Sequence, residues 1–158
     1  MKIKLSEGLA ARSTDIELIE KKIGILFNHD YLEFIRNNDG AKPESNIFSV
    51  LDKNESGINR FIPVNEIINQ MPLIETLPPR AFPVAWAEGG NYVVVDQDSN
   101  GAVYFWDHEQ PDSMVKLADS FFSFLDALEP FDISEITLRP GQVKKVWIDP
   151  DFLKDING

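Results

Sequence analysis

The chain has 158 residues, a net charge of −11, 43% hydrophobic residues and no cysteine. This length suits one domain with one core, and the composition is that of a folded protein rather than a disordered one. The lack of cysteine excludes disulfides and thiolate metal sites. We therefore expect a single domain over residues 1–158, with a core over about 14–128 and a C-terminal extension over 129–158.

No segment of the sequence predicts export or membrane insertion. The opening Met-Lys-Ile-Lys-Leu-Ser-Glu turns polar too soon for a secretory signal. No run approaches the roughly 18 apolar residues of a membrane span. We expect a cytoplasmic protein that does not bind membranes, and export without a signal is the alternative.

The negative charge is concentrated in one part of the chain. Residues 81–135 contain eleven acidic residues and one base, Lys116, whereas the other residues carry 15 acids and 14 bases. A field of this sign repels nucleic acid and anionic membranes, and it speeds encounter with a basic partner. The simpler interpretation is that the acidity only keeps the protein in solution.

The N-terminal part of the chain has the pattern of two helices. Thr14 and Glu17 form a capping-box pattern, and apolar residues then recur at helical spacing, so a helix is predicted to begin near Thr14. Asn28 is placed to cap a second helix, which ends before Gly40, a residue suited to the left-handed conformation after a helix. An alternative is one bent helical hairpin.

The middle of the chain alternates short apolar runs with turn residues. Strands are predicted over 46–51, 81–86, 92–96, 102–106 and 115–118. Residues 52–59 are interpreted as a hairpin loop, and Asn65 as the cap of a short helix. Residues 71–80, which contain three prolines, are predicted to be mostly a connection.

Glycines mark two turns between these strands. Gly89 and Gly90, followed by Asn91, are predicted to form a tight turn with positive φ angles. Asn100-Gly101 is the strongest hairpin signal in the chain. Asp119 or Ser120 then caps a helix with a broad apolar face.

The order of these elements predicts the fold class. Helices come first, then strands, then a helix, and the hairpin connections are too short for parallel crossovers. We predict an α+β domain with a central antiparallel sheet, flanked by N-terminal helices and by a helix after the last core strand. In the tail, 143–148 is predicted as an additional strand, followed by a turn or short helix from 149–150.

The two histidines, His29 and His108, do not lie at a recognised metal spacing. Asp107, His108 and Glu109 are consecutive, so strand geometry would send neighbouring side chains to opposite faces. The sequence also lacks a nucleophile elbow and a phosphate-binding glycine loop. We therefore predict no catalytic residue, no metal site and no cofactor.

The aromatic strand 102–106 leads into an acidic segment that is a candidate for contact with a partner protein. By alternation, Tyr104 and Trp106 share one face of the sheet, and the pattern does not decide which face is the core. An exposed Trp106 among acids would make a good interface anchor, whereas burial in the core is the competing interpretation. The predicted partner-binding residues are Asp96, Asp98, Trp106, Asp107, His108, Glu109 and Asp112.

Four motifs, taken in order, resemble the SUKH superfamily, the domain of yeast cell-wall-assembly regulators and many bacterial immunity proteins. They are Tyr31-x-x-Phe leading to Gly40, the Gly-Gly-Asn turn before a strand that ends at Asp96, the aromatic strand into Trp-Asp-His-Glu, and Ser-Phe-x-x-Phe-Leu from Ser120. The resemblance covers about residues 14–128. Two features depart from it: Asn-Asp-Gly stands where the family often has Asn-Gly-Gly, and the tail after Pro130 matches nothing.

The resemblance implies an α+β domain that acts as a cytoplasmic immunity protein. Such a protein binds and neutralises a cognate bacterial toxin, commonly a nuclease, without chemistry of its own. The acidic segment fits a basic nuclease as the partner. One alternative is a scaffold or regulatory domain that binds a peptide or small ligand, and another is an enzyme built on His108. The sequence does not predict the oligomeric state.

Overall fold

The computed structural model of the chain describes residues 3–51 and 54–130. Its helices are α1 (Ser13–Ile23), α2 (His29–Asn38), α3 (Ile67–Gln70) and α4 (Phe121–Asp126). Its strands are β1 (Leu5–Ser6), β2 (Lys42–Pro43), β3 (Ile47–Ser49), β4 (Glu55–Phe61), β5 (Ala81–Ala87), β6 (Asn91–Asp96), β7 (Ala102–Trp106) and β8 (Met114–Ala118). The predicted α+β class is confirmed.

Helix α1 buries two isoleucines on one face and ends at Gly24, whose φ of 73° is left-handed. It begins near Thr14, as predicted. The predicted capping box is wrong, because the residue before the helix is Arg12 and no side chain caps it. Since the helix already includes Ser13, both Thr14 and Glu17 lie inside it and out of capping register.

Helix α2 begins after Asn28, the residue predicted to precede it, although Asn28 makes no capping hydrogen bond through its side chain. The buried face of α2 consists of Tyr31, Phe34 and Ile35. The left-handed glycine predicted after this helix is confirmed, since Gly40 has a φ of 72°. Helices α1 and α2 are distinct and are joined by residues 24–28.

Strands β3 to β8 form one antiparallel sheet of six strands, in which each strand pairs with the next along the chain. Strands β1 and β2 form a separate ribbon. Because successive strands reverse direction, residues 50–51, 54, 88–90 and 107–113 lie at one end of the sheet, and the turn 97–101 lies at the other. This topology decides which sequence segments share a surface.

The predicted hairpin loop over residues 52–59 is wrong for most of its length. Strand β4 begins at Glu55, and Gly57 pairs with Ile47 within the sheet. The polar composition of this segment favoured a loop. In the structure β4 is hydrogen-bonded on both sides, to β3 and β5, and this pairing outweighs its low β-propensity.

Helices α2 and α4 cover one face of the sheet. The ring of Tyr31 in α2 lies 5.5 Å from that of Phe121 in α4 and 5.3 Å from that of Phe82 in β5. On the same side, Phe48 of β3 contacts Phe105 of β7, with ring centroids 5.6 Å apart. Because β3 and β7 are not neighbours in the sheet, this contact shows that the sheet is strongly curved.

The opposite face is covered in part by α3 and the proline-rich connection that follows it. Trp106 is only 4% exposed there, and its Nε1 donates to Thr76 Oγ1 at 2.9 Å. Gln70 Oε1 accepts from Trp86 Nε1 at 3.0 Å and from Tyr92 OH at 2.7 Å. Both faces of the sheet therefore bury aromatic side chains, which is why alternation alone did not identify the core face.

Two predicted caps have different outcomes. Ser120 caps α4, as one of the two predicted candidates, and its Oγ accepts from Ser123 N at 3.1 Å. Asn65 does not cap α3, because it lies inside a 3-10 turn, Val64–Glu66, that precedes the helix. The acceptor for Val64 N is instead Asp39 Oδ1, at 2.8 Å, from a distant part of the chain.

The last residues that the structure describes pair with the outer edge of β3. Glu129 exchanges two backbone hydrogen bonds with Ile47, each of 2.9 Å. The predicted strand over 143–148 and the turn or short helix from 149–150 lie outside the described residues. None of the described helices has the length and apolar character that crossing a membrane requires.

Candidate functional site

The sheet topology separates the predicted partner-binding residues. Asp96 and Asp98 lie at the end of the sheet that carries turn 97–101. The opposite end of β6, at Asn91, is five residues away, roughly 17 Å at about 3.4 Å per residue. That opposite end carries the loop 107–113, which we call the acidic loop. The acidic loop contains four of the predicted residues, Asp107, His108, Glu109 and Asp112. The seven predicted residues therefore do not form one continuous surface.

The two acids at the far end have structural contacts of their own. Asp96 is 8% exposed, and its carboxylate accepts from Asp98 N at 3.0 Å and from Ser99 Oγ at 3.3 Å. Asp98 is exposed and pairs with Arg80, with 3.3 Å between Nε and Oδ1. Asp96 thus holds the turn before Gly101, and a base already compensates the charge of Asp98.

Trp106 is buried, so the interpretation of an exposed anchor is wrong and the competing interpretation of core burial is confirmed. Its indole nitrogen donates to the hydroxyl of Thr76, and that hydroxyl donates to the backbone oxygen of Pro111. This relay joins β7 to the middle of the acidic loop. Trp106 therefore supports the loop from beneath.

Asn91 holds the beginning of the acidic loop. Its Oδ1 accepts from His108 N at 3.0 Å and lies 2.7 Å from His108 Nδ1, which must carry a proton to donate to an amide oxygen. Within the loop, Asp107 Oδ1 accepts from Glu109 N at 2.9 Å. The loop is thus fixed at its beginning by side-chain hydrogen bonds and at Pro111 by Thr76.

The predicted turn glycines adopt the expected conformation. The φ angles of Gly89, Gly90 and Gly101 are 75°, 81° and 80°. Residues other than glycine rarely adopt such positive φ angles, because their Cβ atom is strained there. Gly90 also lies against the histidine, since a Cβ added there would stand 3.8 Å from His108 Nδ1. The turn 88–90 and the acidic loop therefore pack against each other.

Two further acids lie at this end, and neither is among the site residues predicted from the sequence. Glu88 lies in the turn 88–90, and its Oε1 packs against Gly57. A Cβ added to Gly57 would stand 2.8 Å from this oxygen. Glu55 begins β4. The signal that would have found them is the strand order, because a sequential meander brings these turns to one end. We call the following set the acidic end: Glu55, Glu88, Asp107, Glu109 and Asp112.

No lysine or arginine offsets this charge among the described residues of the loops at 50–51, 54, 88–90 and 107–113. Lys53, in the hairpin between β3 and β4, lies outside the described residues. Lys116 of β8 is directed to Asp119, beyond the other end of the strand, with 2.5 Å between Nζ and Oδ1. Among the described residues, the acidic end therefore carries a concentrated negative charge.

The Nδ1 atom of His108 has two polar neighbours in the structure. This atom contacts the amide of Asn91, and the carboxylate of Asp107 is 4.0 Å away. A catalytic histidine would need a nucleophile or substrate proton within hydrogen-bond reach. Over residues 3–51 and 54–130, no three His, Asp or Glu side chains converge to hold a metal ion.

The fold and this surface define a small α+β domain with a curved antiparallel sheet and an acidic end whose loop is held by hydrogen bonds. The chain belongs to the SMI1 / KNR4 family (SUKH-1), which it matches over residues 10–127. The matched stretch contains the whole six-stranded sheet and the acidic loop. No curated protein matches the sequence. Family membership confirms the resemblance and is consistent with an immunity-type role.

Proposed function

We propose that this protein is a cytoplasmic immunity protein that neutralises a cognate bacterial toxin with a basic surface, in the first place a nuclease. The observation that carries the proposal is the acidic end, where five carboxylates are grouped on a member of the SMI1 / KNR4 family. Nucleases use lysine and arginine to hold phosphates, so their substrate-binding surface complements such a group. Neutralisation then requires only that this surface be covered.

The rigidity of the acidic loop supports this role. Ordering a flexible loop on binding costs about 0.5–1.5 kcal/mol for each immobilised side chain, and a loop that is already ordered avoids part of this cost. Here Asn91 and Thr76 hold the backbone of the loop in place before any partner arrives. Glu109 and Asp112 are exposed and make no hydrogen bond through their side chains to the rest of the described chain, so they are free to pair with cations.

The proposal assigns direct contact to four of the seven residues selected from the sequence, Asp107, His108, Glu109 and Asp112. Trp106 acts from beneath by holding Thr76, and Asp96 acts within the turn at the other end. The alternative of a small-ligand domain has less support. A groove beside the acidic loop, lined in part by Phe105 and Asp107, encloses about 140 Å³, and a groove between α1 and α2 encloses about 200 Å³. Small-molecule sites typically have about 300–1,000 Å³.

The test first asks whether a neighbouring open reading frame encodes a toxin. The toxin domain is then co-expressed with this protein, and association kinetics are measured with the purified pair. Reversal of Glu88, Glu109 and Asp112 to lysine changes acids that make none of the loop's hydrogen bonds. We expect the association rate of this triple variant to fall at least tenfold at 50 mM NaCl. The difference should shrink at 500 mM NaCl, where the Debye length is only about 4 Å.

The matched control reverses Glu17, Asp98 and Asp126, which lie on α1, at the far end of the sheet and at the end of α4. It changes the net charge by the same amount and should slow association much less. Equal slowing by the two triple variants would show that only net charge matters. Failure of the wild-type protein to bind the toxin domain and to protect cells would remove the proposed function.

A further inference from the structure

A narrow groove lies beside the acidic loop, between that loop and the hairpin that joins β3 to β4. It encloses about 140 Å³. Four apolar side chains line it, those of Val50, Leu51, Phe105 and Val115, and four polar ones complete the lining, those of Asn54, Asp107, Gln110 and Ser113. The lining of the groove is thus half apolar and half polar, and it includes the carboxylate of Asp107.

The size of the groove fits one side chain. A cavity of about 150 Å³ is enough to hold a benzene ring. Phe105 is 7% exposed and packs against Phe48 with ring centroids 5.6 Å apart, so this wall of the groove is rigid. Leu51 is 56% exposed at the margin, which leaves apolar surface in water that an incoming side chain would cover.

The charges around the groove determine what accompanies that side chain. Asp107 is part of the lining, and Glu109 and Asp112 belong to the same loop. An apolar side chain that arrives with acidic neighbours would be repelled, whereas one flanked by lysine or arginine would gain charge pairs at the rim. Hot spots at protein interfaces have this arrangement, with a buried anchor and a polar surround that excludes water.

We propose that the groove receives one large apolar side chain, aromatic or long aliphatic, which projects from a basic loop of the partner protein. This inference rests on the proposed function and deepens it, because it names the anchor of the same interface. The acids of the loop attract the partner and set the association rate. The groove holds the anchor and sets the dissociation rate.

The experiment uses two peptides that differ only at the anchor, acetyl-Lys-Lys-Phe-Lys-Lys-amide and acetyl-Lys-Lys-Ser-Lys-Lys-amide. Each is titrated into the ¹⁵N-labelled full chain, and binding is followed by NMR. We expect the phenylalanine peptide to bind at least tenfold more tightly than the serine peptide. Its shift changes should centre on Val50, Leu51, Phe105 and Val115.

A variant that fills the groove provides the second measurement. Ser113→Trp places a bulky side chain at the groove without changing any charge, and it should abolish the preference for phenylalanine. Ser13→Trp, on the exposed first turn of α1, is the matched control and should keep the preference. Equal affinity for both peptides, or shift changes centred elsewhere, would overturn the inference. If the wild-type protein self-associates and Ser113→Trp abolishes that self-association, the groove binds a second copy of the chain. That result would overturn the inference too.

The two proposals fail separately. If the phenylalanine peptide binds in the groove but the toxin domain does not bind the protein, the proposed function is wrong and the groove still takes a basic peptide with an apolar anchor. If the toxin domain binds and both peptides bind alike, the function stands and the anchor is wrong. With a toxin that binds, Ser113→Trp should raise the dissociation rate at least tenfold and leave the association rate within twofold.

Discussion

Tyr31 is packed between helices and sheet, and its hydroxyl has no hydrogen-bond partner among the described residues. Burial raises the pKa of Tyr31 far above its usual range, and the nearby carboxylate of Asp39 adds to this. An unpartnered buried polar group costs about 1–3 kcal/mol. We predict that Tyr31→Phe keeps or raises the free energy of unfolding, by up to about 1 kcal/mol, as measured by urea denaturation.

The control for this prediction is Tyr92→Phe. The hydroxyl of Tyr92 donates to Gln70 Oε1 at 2.7 Å, so its removal should lower the free energy of unfolding by about 1 kcal/mol. The two variants remove the same atom from the same residue type, but only Tyr92→Phe should lose stability. A loss of stability in Tyr31→Phe as large as in Tyr92→Phe would mean that the Tyr31 hydroxyl has a partner.

Asp39 directly follows helix α2, in the segment Asn38-Asp39-Gly40. Burial raises the pKa of the Asp39 carboxyl, the hydrogen bond from Val64 N lowers it, and the carboxylate of Asp15 raises it, with a net rise. A carboxyl with a raised folded pKa favours the native state when it is protonated. Its contribution to stability is therefore full below the unfolded pKa of about 3.9 and is lost as pH rises through the folded pKa.

Asp39→Asn should remove this pH dependence and keep an oxygen to accept from Val64 N. We predict that the asparagine variant gains stability over the wild type between pH 3.5 and pH 7, as measured by urea denaturation at several pH values. Asp39→Ala, which also lacks the acceptor, should be less stable than the asparagine variant at every pH. A wild-type advantage that grows toward pH 7 would contradict the sign of the pKa shift.

At the scale of elements, two caps that look similar in sequence differ in the structure. Ser120 Oγ accepts from Ser123 N, whereas Thr14 lies inside α1 and caps nothing. We predict that Ser120→Ala lowers the free energy of unfolding by about 1 kcal/mol, and that Thr14→Ala changes it by less than about 0.5 kcal/mol. Thermal melts of both variants check this. Similar losses of stability in the two variants would mean that Thr14 caps α1 after all.

The elements that were predictable from sequence are those with local causes. The turns at Gly89-Gly90 and Asn100-Gly101 need positive φ angles, and this requirement is visible in the residues themselves. Strand β4 and the burial of Trp106 depend on partners distant in sequence, β3 and β5 for the strand and Thr76 for the indole. No local pattern carries that information.

In the candidate site too, the sequence predicts what is local and misses what depends on distant parts of the chain. The sequence predicted seven site residues between Asp96 and Asp112, and the four within the acidic loop do lie together. Asp96 and Asp98 were placed with it only because they are near in sequence, and the hairpin carries them to the other end. Glu55 and Glu88 reach the acidic end through strand order, and the groove forms between two loops that are far apart in the chain.

At the scale of the whole molecule, the charge distribution opposes stability. The net charge is −11, and the acidic end groups five carboxylates without an arginine or lysine among the described loop residues. Like charges held close in the native state repel one another more than in the extended unfolded chain. In a surface arranged for stability alone, bases would stand among these acids. Lys116 on β8 and Asp119, just after that strand, form such a pair of opposite charges.

Replacing one of these acids with a base should therefore raise stability. Glu109→Lys should raise the free energy of unfolding by roughly 0.5 kcal/mol at 20 mM NaCl, because it replaces repulsion with attraction at an exposed site. The gain should disappear near 1 M NaCl, where the Debye length is about 3 Å. The same variant should slow association with the toxin domain. Stability and binding would then change in opposite directions from one substitution, as expected when a group of charges is kept for recognition.

Asp119→Lys is the matched control, because it removes an acid that already has a base beside it. It should not gain stability at low salt, and it should leave the association rate close to that of the wild type. Urea denaturation at the two salt concentrations and association kinetics at the lower one measure both quantities. If Glu109→Lys and Asp119→Lys gain stability equally, the repulsion is a property of net charge and the acidic end has no special share in it.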